Sequence, residues 1–269
     1  IEELQRKESG SSEDVIELHV KSHEETMITV TELAKLTALS MEEVTEDVQS
    51  LEQQGIVKVF RMKKDTYVWH TIHEQNMRHR LTEALCGYHE KYPYRYGMKK
   101  AEIHMTYMKK VKLNVFDLYV EMLSEEGVLK RHQEFLQLPE FEVRKDAVYE
   151  KVLKTVQKQF EKAQFDFQRF SEISFGNIKR EEVEDIMLLL IDEDIVVKIT
   201  EDIYTLKSII EKAKEVIQNR LKENPLITIA EVRDLLGTSR KSAKPILEYM
   251  DSIKVTKKNG TESERVAYI

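Results

Sequence analysis

The sequence predicts a mainly helical protein with small β wings, built as four winged-helix domains in tandem. Three observations carry this. In Asn224–Gly260 a helix, a tight turn, a second helix and a strand entering a basic hairpin follow one another, which is the helix–turn–helix–wing plan. Short stop motifs recur: Leu51-Glu-Gln-Gln-Gly55-Ile-Val, Leu123-Ser-Glu-Glu-Gly127-Val-Leu, Leu190-Ile-Asp-Glu-Asp194-Ile-Val and Glu248-Tyr-Met-Asp-Ser252-Ile-Lys. The stops at 55, 127, 194 and 252 lie 72, 67 and 58 residues apart, too long for a solenoid repeat and suited to small domains in a row. Between stops, apolar residues at helical spacing give way to short β-rich runs. The expected domains are 1–72, 73–141, 142–207 and 208–269.

Residues 1–12 are polar and Gly/Ser-bearing, a leader at the start of what reads as a fragment of a longer protein. Val15, Ile16 and Val20 mark a first helix, and Ile28 with Val30 a short strand. Thr31 is expected to cap a second helix, and Ser40 a third with Met41, Val44, Val48 and Leu51 inward and Gly55 at its end. Strands 56–60 and 67–71 flank a turn at 62–65. The second domain has a helix over 74–91 ended by Pro93, then helices over 101–108 and 115–126, the latter with Phe116, Tyr119, Val120 and Leu123 inward. A strand begins at Val128, and 135–141 is a loose wing. The third domain opens with a helix from Ala147 to Phe160. Val183, Ile186, Met187 and Leu190 stripe its third helix, and 195–199 with 203–206 are its wing.

The last domain begins with a helix over 209–221. Thr228 and Glu231 form a capping box for the next helix, whose apolar residues are Val232, Leu235 and Leu236. Gly237 ends it, and Thr238 and Ser239 are expected to cap the following helix. There Ala243, Ile246, Leu247 and Met250 make one apolar stripe. Pro245 falls inside that helix, where proline removes a backbone bond. Residues 253–256 read as a strand, 257–260 as a turn and 265–269 as the returning strand.

Of 269 residues 34% are charged, and the net charge is −7, which argues against a general nucleic-acid sponge. The charge is uneven. Residues 208–269 hold 12 Lys and Arg against 9 Asp and Glu, a net of +3, so the remainder carries −10. That asymmetry points to a polyanion site in the last domain. The outer faces of the first three third helices are acidic: Glu42, Glu43, Glu46 and Asp47; Asp117, Glu121 and Glu125; Glu181, Glu182, Glu184 and Asp185. Only the fourth places Arg240, Lys241 and Lys244 there, with Lys257, Lys258, Asn259, Gly260 and Arg265 on the wing.

Catalytic motifs are lacking: no phosphate-binding loop, no nucleophile elbow and no Cys/His/carboxylate set with metal-site spacing. The eight histidines are read as surface residues, the carboxylate pairs as solvated faces and Cys86, the single cysteine, as a small buried apolar residue. The basic run Met108–Lys112 is read as a polar loop or helix end. No apolar run is long enough to span a membrane. A single cysteine suits a reducing cytoplasmic setting, and nothing signals dimerisation.

The stretch EVRDLLGTSRKSAKPILEYMDSIKVTKKNG resembles the C-terminal end of the bacterial selenocysteine-specific translation elongation factor family, in Arg233-Asp234, Leu236 to Lys241, Pro245, Leu247 to Tyr249 and Asp251. HEKYPYRYGMKKAEI resembles that family's linker into a helix of its second winged-helix domain. Met250, Ser252-Ile253 and the lysines in place of wing arginines depart from the family pattern. The resemblance implies a fragment whose last domain grips an mRNA hairpin, the selenocysteine insertion element downstream of a UGA codon. The resemblance matches the family's binding residues at Arg240, Lys241, Lys257, Lys258, Asn259 and Gly260; read from the residues themselves, Arg233, Gly237, Thr238, Ser239, Lys244 and Arg265 join them as expected RNA-binding residues, with backbone N–H groups at 237–239 receiving a phosphate. It also implies that no cofactor is held by this fragment, GTP and Mg belonging to an N-terminal part absent from this chain. Ribosome and selenocysteyl-tRNA would be met through the full-length protein. The rival expectations are a winged-helix scaffold that docks proteins, or a DNA-binding regulator.

Overall fold

The computed structural model describes residues 11–268. The expected leader falls outside them up to residue 10, as does the end of the last strand at Ile269. The chain is mostly helical with small antiparallel sheets, and it divides into two compact units, residues 1–142 and 143–269. Among the described residues no helix is long and apolar enough to cross a membrane.

The first unit opens with three capping boxes. Ser11 with Asp14 starts α1 (Ser12–Lys21), Thr29 with Glu32 starts α2 (Val30–Thr37), and Ser40 with Glu43 starts α3 (Met41–Gln53). Each satisfies two backbone donors reciprocally. Three expectations are corrected here. Ser11 already belongs to a helix cap, and the cap of α2 is Thr29 rather than Thr31, because only Thr29 has a glutamate three residues on. Met41 is exposed instead of inward, since the first turn of α3 projects beyond the core. β1 (Ile28–Thr29), β2 (Val57–Arg61) and β3 (Thr66–His70) form a sheet in the order β1-β3-β2. Ile16, Val20, Leu33, Val44, Val48, Leu51 and Val68 fill the core beneath it.

After β3 comes α4 (Thr71–Lys91), capped by the His70 side chain, which accepts from Ile72 N–H at 3.2 Å. Then follow β4 (Met98–Lys99), α5 (Lys100–Tyr107), α6 (Leu113–Glu125), β5 (Lys130–His132) and β6 (Phe135–Gln137), with sheet order β4-β6-β5. Tyr119 on α6 meets Trp69 and Phe60 edge-on, centroids 5.3 and 6.1 Å apart. One core therefore runs from the first sheet into the second half of this unit.

Burial overrides several surface expectations. Glu74 is 1% exposed and receives Arg78 at 3.0 Å and the Tyr119 hydroxyl at 3.3 Å. A buried carboxylate persists only when so paired. His70 and His89 are buried, while Cys86 is exposed. The Lys109–Lys112 run lies in the α5–α6 loop, with Met108 and Val111 buried, Lys110 paired to Glu25 and Lys112 donating to the Tyr67 hydroxyl.

His89 stacks on Phe141 at 3.6 Å and its Nε2 accepts from Leu138 N–H at 3.2 Å. Burial lowers its pKa from 6.5 to about 4. In that range the unfolded chain takes up the proton first. Its contribution is therefore whole above about pH 6.5 and is lost as pH falls towards 4, costing about 2–3 kcal/mol. In urea titrations at pH 7 and 4.5, His89→Phe should lose less stability on acidification than the parent. An identical loss in both would exclude His89 as an acid-sensitive group.

In the second unit, α7 (Ala147–Ala163) is capped by Asp146, and a 3₁₀ turn at Phe170–Glu172 precedes α8 (Arg180–Asp192). Asp185, expected on the outer face of α8, is buried. β7 (Val196–Thr200) and β8 (Ile203–Leu206) make a two-stranded sheet, joined only by an Arg169–Ile203 bridge where the other sheets have a third strand. The chain continues through α9 (Lys207–Glu223), β9 (Leu226–Thr228), α10 (Ile229–Leu236), α11 (Arg240–Ser252), β10 (Thr256–Asn259) and β11 (Thr261–Ala267), with sheet order β10-β11-β9.

Candidate nucleic-acid interface

The site rests on α11 and the β10–β11 hairpin. The capping box at Thr228 and Glu231 starts α10 as expected, and Gly237 ends it at φ 60°. Leu235, expected inward, is exposed, and Ile229 takes the buried place. Ala243, Ile246, Leu247 and Met250 are each 0% exposed. The three larger side chains stabilise the domain by roughly 1.5–3 kcal/mol apiece, fixing which face of α11 remains outside. α11 runs unbroken across Pro245. The lost bond is the one to the Lys241 carbonyl, in an exposed first turn where water can replace it.

The outer face carries Arg240, Lys241 and Lys244, all exposed. Arg240 and Lys241 make no ion pair among the described residues, whereas Lys244 lies 3.6 Å from Glu248. Such exposed pairs are weak and leave the lysine available. Arg233, also exposed, folds onto Asp234 at 2.6 Å.

The expected phosphate site at residues 237–239 is corrected. Gly237 N–H donates to the Asp234 carbonyl and Thr238 N–H to that of Arg233, so both close the end of α10. Thr238 Oγ1 donates to the Phe165 carbonyl at 2.6 Å, and Ser239 Oγ to Asp166 at 3.0 Å. Ser239 stands at the N-cap of α11 without capping it. The loop after α7 thus brings a carboxylate to the helix N-terminus, where the dipole favours an anion. Ser242 helps hold that loop, donated to by Phe167 N–H at 3.1 Å, and Phe165 and Phe167 pack on the same core.

The wing also departs from expectation. Ile253 caps α11, and Lys254 takes φ 57° before β10 begins at Thr256. Lys257, Lys258 and Asn259 lie in a strand rather than a turn, leaving Gly260 at φ 72° to make the reversal. Thr261, not Arg265, begins the returning strand. Lys257 is exposed with its ammonium 5.9 Å from the Tyr268 ring centroid, and Lys258 pairs with Glu262 at 2.6 Å. The Glu262 carboxyl is held below its ordinary range, chiefly by the Lys258 hydrogen bond and charge and further by Lys244 and Arg265. Lys244 on the helix and Lys258 on the wing therefore act on one carboxylate.

Arg265 is removed from the contact surface. It is 0% exposed, with Nε 2.6 Å from Asp251 Oδ2 and Nη1 donating to the carbonyls of Glu262 and Glu264. Thr256 donates to the other Asp251 oxygen at 2.6 Å. Arg265 thus ties both wing strands to the end of α11. Lys254 was not anticipated: it is exposed at the helix–wing junction without an ion pair among the described residues. Its only sequence signal was its charge.

Residues 219–263 match the family model described as elongation factor SelB, winged helix, and residues 82–138 match the corresponding model for a second such domain. Two segments of the chain thus match SelB winged-helix models. A curated relative, the selenocysteine-specific elongation factor of Desulfomicrobium baculatum, is 24% identical over 185 residues, covering 68% of this chain and 29% of the relative. The chain therefore aligns with under a third of that protein. Among solved structures, the mRNA-binding domain of Escherichia coli SelB in complex with SECIS RNA is 19% identical, covering 46% of this chain and all of its own, at a TM-score of 0.40. A bacterial selenocysteine-specific elongation factor is 18% identical, covering 78% of this chain and 32% of its own, at 0.41. Among the described residues, no group of three or more His, Cys, Asp or Glu side chains is arranged to hold a metal ion.

Proposed function

We propose that this chain is the C-terminal part of a SelB-type elongation factor, made of four winged-helix domains near 1–72, 73–141, 142–207 and 208–269, and that the last binds the mRNA hairpin directing selenocysteine insertion at UGA. One coincidence carries the reading. Of the two segments matching SelB winged-helix models, 219–263 is the one whose outer helix face carries Arg240 and Lys241, with Lys257 on the adjoining wing, none of them in an ion pair among the described residues. The corresponding faces of α3, α6 and α8 instead expose Glu42, Glu43, Glu46, Glu121, Glu125, Glu181 and Glu184, which repel phosphates. Arg240 reads a base edge or clamps a phosphate, while Lys241, Lys244, Lys254 and Lys257 hold the backbone. RNA hairpins present splayed loop bases and phosphates to such a set. The chain works as a monomer in the cytoplasm and catalyses nothing itself. GTP with Mg, selenocysteyl-tRNA and the ribosome are engaged by or through the rest of the full-length factor.

The test is a titration of the full chain against a UGA-downstream hairpin and a scrambled one. With about four to six phosphates contacted, log K should fall with log salt at a slope of roughly −3 to −5. A flat salt response, or equal affinity for both hairpins, would reject the reading.

A further inference from the structure

The second hairpin of the 1–142 unit has a solvent-side face which that reading leaves unused. In the sheet β4-β6-β5, Met98 stands opposite Leu136, and both are buried. The other face carries Lys99 opposite Phe135, Phe135 opposite His132, and Lys130 two residues before His132, because alternate strand residues share a side. Tyr96, just before β4, lies flat on the His132 ring, with centroids 3.7 Å and planes 17° apart, and its own centroid is 6.5 Å from Phe135. Three half-buried rings thus form a row on the outer side of the sheet. The Lys99 ammonium lies 5.8 Å from the Phe135 centroid, and the guanidinium of Arg95 lies 4.1 Å from that of Tyr92. Lys130 and Arg131 are exposed and make no ion pair among the described residues. Glu134, on the hairpin turn, pairs with Lys99 at 3.0 Å, both largely exposed.

Rings in a row with cations alongside suit a particular partner. Bases stack on ring faces whatever their identity, and lysine and arginine follow the phosphates. In a chain of net charge −7, four cations around one hairpin form a local reversal of sign that attracts a polyanion.

We propose that the Tyr96–His132–Phe135 face is a second nucleic-acid site and takes single-stranded RNA, with the rings stacking on bases and Lys99 and Lys130 holding phosphates. This goes beyond hairpin binding by the last domain and does not depend on it.

The experiment uses the full chain with Arg240→Ala, Lys241→Ala and Lys257→Ala, which removes the cations of the other site. A fluorescent 5-bromouridine oligomer of about 12 nucleotides is titrated at about 50 mM salt, and Trp69 emission checks that the 1–142 unit stays folded. Binding should persist in this background. Adding Lys99→Glu with Lys130→Glu should weaken it at least about tenfold, and adding Tyr96→Leu alone should weaken it about tenfold, the loss of roughly one stacked base. Photo-cross-links should fall on Tyr96, His132 or Phe135. Absence of binding in this background, cross-links confined to 143–269, or indifference to the charge reversal would each overturn the proposal. Sensitivity to charge without sensitivity to Tyr96→Leu would mean phosphate attraction alone and would overturn it equally.

Discussion

Replacing Asp251 with alanine should destabilise the 143–269 unit by about 3–5 kcal/mol, the cost of leaving a buried charge without its partner. Arg265 is fully buried, and Asp251 is the one carboxylate whose contact with it is 2.6 Å. Its remaining bonds go to two backbone carbonyls, and Nη2 has no partner. Carbonyl dipoles cannot neutralise a full charge, so the guanidinium must find water or break the wing away from α11. The Thr256 hydroxyl, also buried, loses its acceptor in the same step. Arg265→Met should cost less, because the Asp251 side chain is 21% exposed and can be hydrated. Trp69, the only tryptophan, lies in the other unit, so the readout is hydrogen exchange at Val266 and Thr256. A loss below about 1 kcal/mol for Asp251→Ala, or a larger loss for Arg265→Met, would show that the pair is not what holds the wing.

Much of the fold was legible because its signals are local. The cap at Ser40, the capping box at Thr228, the stops at Gly55, Gly127 and Gly237, and the stripe Ala243–Ile246–Leu247–Met250 need only a few neighbouring residues, and each appears in the structure. What failed depended on distant chain. Thr238 and Ser239 are good capping residues by type, yet their hydroxyls are taken by Phe165 and Asp166, 73 residues earlier. Arg265 reads as a basic wing residue until strand register places it opposite Lys258 and beneath the sheet against Asp251; a shift of one residue would have turned it outward. Lys257–Asn259 read as a turn because they are polar, whereas the single glycine at 260 suffices for the reversal. Glu74 and His89 lie on the long helix α4, whose buried side is set by α6 and the second sheet, not by its own periodicity.

Removing Arg240, Lys241 and Lys257 together by alanine substitution should weaken hairpin binding by about 3–5 kcal/mol, combining a base or bidentate contact of about 1–3 kcal/mol with two phosphate contacts of about 1 kcal/mol each. The three act differently. Arg240 begins α11, its planar fork can make two parallel bonds, and it has no ion-pair partner among the described residues. Arg240→Ala alone should therefore narrow the gap between the correct and scrambled hairpins. Lys257 stands on the exposed face of the wing with a flexible point charge. Its loss should weaken both hairpins alike and lower the salt slope by up to about one unit. Lys258 offers a control within the same strand: it is already bound to Glu262, so Lys258→Ala should cost less than Lys257→Ala. None of these side chains reaches the buried stripe, and unfolding midpoints should stay unchanged. The deciding measurement is affinity for both hairpins at two salt concentrations in each variant. If Lys257→Ala abolishes the preference and Arg240→Ala leaves it intact, the wing reads the sequence and α11 only attracts.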